Sequence, residues 1–542
     1  MFTKGKINNS KRSRVIELPL ATESFEDAHV FIEQRLSKND ISDEIIFETM
    51  LLFEALYNSL IEQGFDQNTL LTISTHKHLG ELTIKLGFEG EPFSPIKTDL
   101  KDISPELRML QAYKDRFDCR YSYGYNTISI SVKRSYRGSI LRCWIGIILA
   151  ILVYIPMSMH LSFEERASIE EHIVYPILKK YADAMLMVGA PITFFSMIRN
   201  LTDIYIVSER SSPLRYLQFK ACITSCVSVA LGIVTGFVAM LLMKSYGGYL
   251  AGFGGTPSVS EIIDTLVPSS IFEPFETYMP FPLIIIALLI VYALCSTGEY
   301  LDILKQAVDI FYVILSRVLN VVMFFLPVFC FLAILTPLLA GGVGDFLMVV
   351  NAAVLIILSI SVLLVFYIVR LLIAGVDLKV FVRHLPSLIR ENLKINSVID
   401  AVPFNIRFCV RNYKFNRKKI SEQLPILAQI NLDGNCFLIM LIAMVIILAL
   451  GMPISWFHII IISILVLFLS FGAPNQPGSI LIGTLIILFY LQADTLISMA
   501  IYFEVFFGML QNIINVTGDI VSVAIEDQKS RNKQTSAQSN PS

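Results

Sequence analysis

Beyond about residue 138 the sequence is dominated by apolar runs long enough to cross a bilayer, and no other feature limits its folding more. Of 542 residues, 54% are hydrophobic and only 16% are charged, so most of the chain is suited to lipid and the protein is expected to be an integral membrane protein. The pattern predicts eight spans, at 140–159, 175–197, 219–243, 280–295, 307–339, 346–373, 424–450 and 495–524. Two of these runs are interrupted by polar strings. Asn431-Leu432-Asp433-Gly434 lies inside the seventh run, and Asn515-Val516-Thr517-Gly518-Asp519 inside the eighth. A carboxylate at membrane depth is costly and marks a functional site by default. Between the two lies a stretch broken by proline and glycine, Gly472-Ala473-Pro474-Asn475-Gln476-Pro477-Gly478. Broken apolar segments carrying buried carboxylates are how secondary transporters build ion and substrate sites. The bland alternative is that each polar string only supplies hydrogen bonds between packed helices.

Charge along the chain orients the spans. A basic hinge (Lys133, Arg134, Arg137, Arg142) precedes the first span, which places residues 1–135 in the cytoplasm by the positive-inside rule. The loops then alternate: acidic (Glu164, Glu165, Glu170, Glu171), basic (Arg199, Arg210, Arg215), acidic (Glu261, Asp264, Glu273, Glu276). The most basic stretch, 375–419, must have both flanks inside. Its middle, 395–409, is too short and too charged for a span and is predicted to be a re-entrant hairpin with Pro403 near the turn. A second hairpin is predicted over 454–491, around Pro474 and Pro477. Both termini are expected in the cytoplasm, with an inner-membrane location. The domains are read as 1–135, cytoplasmic; 136–526, transmembrane; and 527–542, a polar tail without periodicity that is predicted to be disordered.

Several function classes are disfavoured. The net charge of −2, without a basic tail interleaved with aromatics, argues against a nucleic-acid partner. The eight cysteines form no Cys-x-x-Cys pair, and Cys143, Cys222, Cys226, Cys295, Cys330 and Cys436 lie in apolar runs, where they read as small buried hydrophobes. The basic N-terminus lacks the apolar core of a cleavable signal peptide. No Ser/His/Asp set, metal cluster or intact phosphate loop points to an enzyme, and no cofactor is expected.

The order of parts over residues 138–526 resembles the sodium-coupled dicarboxylate and glutamate/aspartate transporter family. The strings that carry the resemblance are Leu424-Pro425 with Ala428-Gln429-Ile430-Asn431-Leu432-Asp433-Gly434, Asn515-Val516-Thr517-Gly518-Asp519, Gly375-Val376-Asp377 through Val402-Pro403, Thr224-Ser225 with Leu231-Gly232-Ile233, and Leu266-Val267-Pro268-Ser269-Ser270-Ile271-Phe272. The resemblance implies an α-helical, polytopic, glutamate-transporter-like fold of about eight helices and two re-entrant hairpins, assembled as a homotrimer. It also implies two sodium sites, one from Thr224, Ser225, Asn431 and Asp433 and another from Asn515 and Asp519. Carboxylate, amide and hydroxyl oxygens suit a hard cation independently of any family, and unwound backbone at Gly434 and Gly518 is expected to add carbonyls. Protons would use the same carboxylates. Two family positions differ: the methionine between Asn431 and Asp433 is Leu432, and the tyrosine three residues before Thr224 is Ala221.

The substrate positions depart further. The family's arginine four residues before Asn515 is Gln511, its aspartate seven residues before is Gly508, and Asn396 precedes Ser397 where some members have arginine. Charge-assisted bonds are roughly twice as strong as neutral ones, so an acidic substrate loses its clamp. What remains is a lining of Ser397, Asn435, Gln476, Gln511, Asn512 and Asn515, with Asn396, suited to a neutral polar or monoanionic solute; Asp400, at a family glycine, could meet an amine.

The N-terminal region is predicted to be an α/β domain, helical over 45–61 with strands over 70–74, 81–86 and 127–133. It resembles, more weakly, the histidine-kinase-type ATPase fold of anti-sigma serine kinases. Phe53-Glu54-Ala55-Leu56-Tyr57-Asn58 looks like the Glu-x-x-x-Asn helix, and Glu89-Gly90-Glu91-Pro92-Phe93-Ser94-Pro95 like the Asp-x-Gly loop. Phe88 stands at the adenine-recognising aspartate, and Asp102-Ile103-Ser104-Pro105-Glu106 offers no glycine lid. A non-catalytic module that contacts a cytoplasmic protein is expected. The whole chain is thus expected to be a cation-coupled secondary transporter of a small polar solute other than aspartate, glutamate or C4 dicarboxylates, with the lipid bilayer as its surroundings. The alternative is a transporter-fold sensor or scaffold that signals through the N-terminal domain.

Overall fold

The computed structural model describes residues 15–38, 43–62, 69–78, 81–93, 117–122, 124–132, 136–244, 268, 270–276, 278, 280–296, 301–395, 397–449, 456–474, 478–493 and 496–539. They fall into two units, Met1–Tyr136 and Arg137–Ser542.

In the first unit β1 (Val15–Pro19), β2 (Leu70–His78), β3 (Glu81–Glu89), β4 (Phe117–Ser122) and β5 (Tyr125–Val132) form an antiparallel sheet in the order β1-β2-β3-β5-β4. Alternation fixes which face is buried: Leu71 and Ile73 of β2, Leu82, Ile84, Leu86 and Phe88 of β3, and Ile128, Ile130 and Val132 of β5 all enter the core. Helices α1 (Phe25–Ser37) and α2 (Asp43–Glu62) complete that core with Ile32, Leu36, Phe53, Leu56 and Leu60. The sequence reading found α2, β2, β3 and β5 and missed α1, β1 and β4.

The second unit is helical: α3 (Tyr136–His160), α4 (Phe163–Ile169), a π turn (Glu170–Val174), α5 (Tyr175–Arg210), α6 (Ser212–Lys244), α7 (Pro280–Ser296), α8 (Leu301–Phe324), α9 (Leu326–Gly341) and α10 (Val343–Ile373). Then come α11 (Leu378–Ile395), α12 (Val398–Phe408), a second π turn (Cys409–Tyr413), α13 (Arg417–Ile430), α14 (Asp433–Ala449), α15 (Trp456–Gly472), α16 (Ser479–Tyr490) and α17 (Ile497–Ser539). Among the described residues seven helices are long and apolar enough to cross a membrane, and four shorter apolar helices accompany them. Burial sorts them. Residues 431–447 are buried throughout, whereas Ile303, Ile310, Phe311, Ile314, Val318 and Val321 of α8 lie exposed, as expected of a helix facing lipid.

Five expectations need correction. The run 307–339 is two helices, because Pro327, which follows the break at Phe325, fits only the first turn of a new helix. Arg199 is no loop residue: it is buried within α5, where Nε lies 3.0 Å from Asp309 Oδ1 of α8 and the guanidinium sits 4.8 Å from the Tyr312 ring centroid. A second pair, Lys305 with Asp203, continues that seam. The first hairpin is longer than predicted, with α11 ending at Ile395 and α12 beginning at Val398, while Pro403 lies inside α12. Its arms are zipped by Asn392 and Asn405, whose amides donate to each other's carbonyls at 2.9 and 3.1 Å. The predicted disordered tail is helical as far as Ser539, with Arg531 donating to Asp527 (2.8 Å) and to the Lys414 carbonyl (2.7 Å), which ties α17 to the base of the hairpin. Cys226 is exposed on α6, unlike the buried Cys143, Cys330, Cys409 and Cys436.

Candidate functional site

The site forms where the seventh apolar run breaks. Asn431 (φ −92°, ψ 68°) leaves the helical region after α13, and Asp433 starts α14, so Asn431 and Leu432 are the unwound residues. Gly434 belongs to the first turn of α14, and Gly518 lies within the continuous helix α17; neither glycine is unwound as expected. Because α17 is continuous, Asn515 and Asp519 stand one turn apart on one face.

Hydrogen bonds join the ion-site residues predicted from sequence. The Thr224 hydroxyl donates to Asn431 Oδ1 (2.8 Å), and Asn431 Nδ2 donates to Asp519 Oδ1 (3.0 Å), so one side chain links α6 to α17. The backbone N–H of Gly434, one of the orphan donors at the start of α14, donates to Asn515 Oδ1 (2.7 Å). Asp433 is fully buried: the Tyr367 hydroxyl donates to its Oδ2 (3.1 Å), and the hydroxyls of Thr224 and Ser228 lie against it. Its Oδ1 is buried without a hydrogen-bond partner, as is the hydroxyl of Ser225. Packing is close because Gly518 lacks a side chain. A Cβ there would lie 2.7 Å from Tyr367 Oη and 2.9 Å from Asp433 Oδ2.

Asp433 and Asp519 are near enough to influence each other electrostatically, and the guanidinium of Arg370 is within electrostatic reach of Asp433. A buried carboxylate stays charged only when it is paired or coordinated, and otherwise takes up a proton. Among the described residues no group of three or more His, Cys, Asp or Glu could hold a metal. The side chains brought together instead offer carboxylate, amide and hydroxyl oxygens, donors of the type that suits hard cations.

Beside the ion cluster lies a network of amides. Asn515 Nδ2 donates to Asn435 Oδ1 (3.0 Å), Gln511 Nε2 donates to the same oxygen, and the Ser479 hydroxyl donates to Gln511 Oε1 (2.9 Å). Asn435, Gln511 and Asn515 are thus brought together, as the sequence predicts, with Ser479 of α16 added. Asn512 lies half-buried on another side of α17. Ser397 caps α12 at the hairpin tip, where its hydroxyl accepts from the Asp400 N–H (3.4 Å). Gln476, like Asn396 and Asn475, lies outside the described residues.

Sequence reasoning missed Tyr367, Arg370 and Glu504. Glu504 is 1% exposed, and its carboxylate accepts from the N–H groups of Gly478 (2.8 Å) and Leu481 (3.0 Å) at the start of α16, where the helix dipole favours an anion. Its signal was the one that marked Asp519, an acid inside the apolar run 495–524. Gly508, where the resemblance expected an aspartate, leaves room for it: a Cβ there would lie 2.8 Å from Glu504 Oε1.

In the first unit Phe88 is wholly buried and packs against Phe93 (ring centroids 6.2 Å), whereas Glu54 and Asn58 are exposed on α2. Asn126 pins the loop after β3, accepting from the Phe93 N–H and donating to the Glu91 carbonyl, both at 2.9 Å. The segment 102–106, expected to lack a nucleotide lid, lies outside the described residues.

A polytopic bundle with a helix broken at buried Asn and Asp and a cluster of hard oxygen donors defines a membrane protein of the secondary-transporter class. The sequence model of the Sodium:dicarboxylate symporter family matches residues 140–529, and the chain belongs to that family. It is accordingly a multi-pass membrane protein of a sodium symport family rather than of an enzyme family. The match leaves the first unit, Met1–Tyr136, outside. No curated protein matches the chain.

Proposed function

We propose that the protein couples sodium to the movement of a small, neutral or monoanionic polar solute by alternating access. Asp433 and Asp519 hold the coupling ions with Thr224, Ser225, Asn431 and Asn515. The Asn435, Gln511, Asn515 and Ser479 network meets the solute, and the hairpins α11–α12 and α15–α16 gate it. The observation that carries this reading is the linked arrangement itself: Asn515 holds the ion-site backbone at Gly434 through its carbonyl and the amide network at Asn435 through its amino group. One side chain thus spans both sites, so ion binding and solute binding are coupled through it. Gln511 supplies no charge, and an unpaired carboxylate held only by neutral amides lacks the stronger, charge-assisted bonds. Aspartate, glutamate and C4 dicarboxylates are therefore not high-affinity substrates. In this reading the protein is a homotrimer of the inner membrane with both termini in the cytoplasm, and the N-terminal domain, without catalysis, contacts a cytoplasmic protein.

Uptake into proteoliposomes under an inward sodium gradient, with a panel of neutral polar and acidic solutes, tests the reading together with calorimetry in sodium. Micromolar binding of an acidic substrate would overturn the solute class and point to Arg390 or Arg407 as a replacement clamp. A second reading is favoured by the way the amides satisfy one another, as in a site that no longer exchanges solute. The chain would then be a sensor or scaffold reporting to its N-terminal domain, and sodium-driven uptake of any solute refutes that.

A further inference from the structure

Arg370 lies on α10, one turn beyond Tyr367, whose hydroxyl donates to Asp433. A guanidinium in an apolar helix is a costly placement that ordinarily marks function. Its Nη2 donates to the Ser522 hydroxyl (3.3 Å), three residues after Asp519 on α17, and its plane lies 5.4 Å from the Phe366 ring centroid. Its Nη1 is buried without a hydrogen-bond partner. Asp433, within electrostatic reach, has an oxygen in the same condition, Oδ1. A donor and an acceptor of opposite charge are thus both unsatisfied in one region, and leaving either buried alone is unfavourable. Bound sodium would satisfy Asp433 Oδ1. With no ion, the hydroxyls of Thr224 and Ser228 beside Asp433 carry no charge, and the long flexible side chain of Arg370 brings a cation within electrostatic reach of it.

We propose that Arg370 is a built-in countercation: in the ion-free protein its guanidinium pairs with Asp433, and sodium must displace it to bind. Arg370 is therefore a positioning residue that sets sodium affinity at the Asp433 site. The inference rests on the proposed sodium reading. The ion-free state then keeps a neutralised Asp433 and need not hold a bare buried carboxylate during the return step. Competition of this kind is reciprocal: whatever the arginine gains from Asp433 is subtracted from sodium binding.

Full-length protein in lipid nanodiscs tests this with Arg370→Met, Arg370→Lys, Asp433→Asn and the double variant Arg370→Met/Asp433→Asn. Melting temperatures in choline chloride, free of sodium, form a double-mutant cycle. The pairing predicts that Arg370→Met lowers the melting temperature in the parent chain and costs little once Asp433 is Asn; an additive cycle overturns the proposal. The sodium concentration giving half the maximal thermal shift is the second reading. It should fall at least about fivefold in Arg370→Met, within the usual range of coupling between sites, and stay close to the parent in Arg370→Lys. An unchanged or raised midpoint in Arg370→Met, with a normal response in the parent, overturns the proposal alone. No sodium response in any variant overturns the sodium reading and the competition with it. If Arg370→Met yields no folded protein, recovery of folded protein on adding Asp433→Asn supports the pairing, and failure to recover counts against it.

Discussion

Asn431 has two ends, and each meets a different helix: its carbonyl takes the Thr224 hydroxyl and its amide reaches Asp519. Such a residue cannot be replaced by a shape alone, because its donors and acceptors hold α6 and α17 at one spacing. Gly518 is fixed by the opposite need, for absence. A methyl group there would overlap Tyr367 Oη at 2.7 Å and Asp433 Oδ2 at 2.9 Å. Gly518→Ala is therefore expected to lower stability by about 1 to 3 kcal/mol through overpacking and to weaken the sodium-induced thermal shift, which differential scanning measures directly. An unaltered sodium response would mean that Asp433 Oδ2 does not serve the ion. Glu504 makes a separate case. Its two oxygens accept from two N–H groups, and a glutamine offers only one acceptor oxygen. Glu504→Gln should cost about 1 to 3 kcal/mol by leaving a buried donor unmatched and speed hydrogen exchange at Gly478 and Leu481, while the sodium response persists. Unchanged exchange at both amides would remove Glu504 as the anchor of α16.

At the scale of elements, the break between α13 and α14 was legible because Asn-Leu-Asp-Gly puts three polar or small residues into an apolar run. Its exact form was not, since the sequence pattern cannot say which of four residues leaves the helix; the structure assigns Asn431 and Leu432. Asn515 and Asp519, read as site residues, come from a string wrongly expected to unwind. Helical spacing of four already puts both on one face, so no unwinding is needed. The turn of the first hairpin was misplaced at Pro403 because proline ordinarily interrupts a helix, whereas here it lies inside α12, and the capping Ser397 was the better signal. Tyr367, Arg370 and Glu504 escaped notice for a different reason: each lies in a helix without a local break, and only packing brings it to a partner. In the sheet unit, alternation revealed β2, β3 and β5, while β1 and β4, short edge strands, carry too few buried residues to stand out. That unit also yields a prediction. Phe88 fills the core at the position where the resemblance to the ATPase fold would put an adenine-binding carboxylate, and lacking such a buried partner would cost about 1 to 3 kcal/mol. The full-length protein should bind ATP no more tightly than millimolar and show no hydrolysis. Magnesium-dependent micromolar binding, abolished by Asn58→Ala, would contradict this.

For the molecule as a whole, one physical argument joins the parts. Residues 431–447 are buried throughout, and at the start of α14 Asp433 lies beside Asp519 of α17, both held away from water, with the guanidinium of Arg370 within electrostatic reach of Asp433. In the proposed reading a cation meets these carboxylates, and oxygen donors of this kind suit a hard ion such as sodium. An ion that binds the folded state alone stabilises it by RT ln(1 + [L]/Kd), about 2.7 kcal/mol at a hundredfold excess over Kd. The most direct test is the melting temperature of the purified full-length chain in sodium chloride against potassium chloride at equal ionic strength, for the parent, Asp433→Asn and Asp519→Asn. The account predicts a saturable, sodium-specific rise in the parent that is reduced in each variant; coincident melting curves in the two salts at every concentration would contradict it.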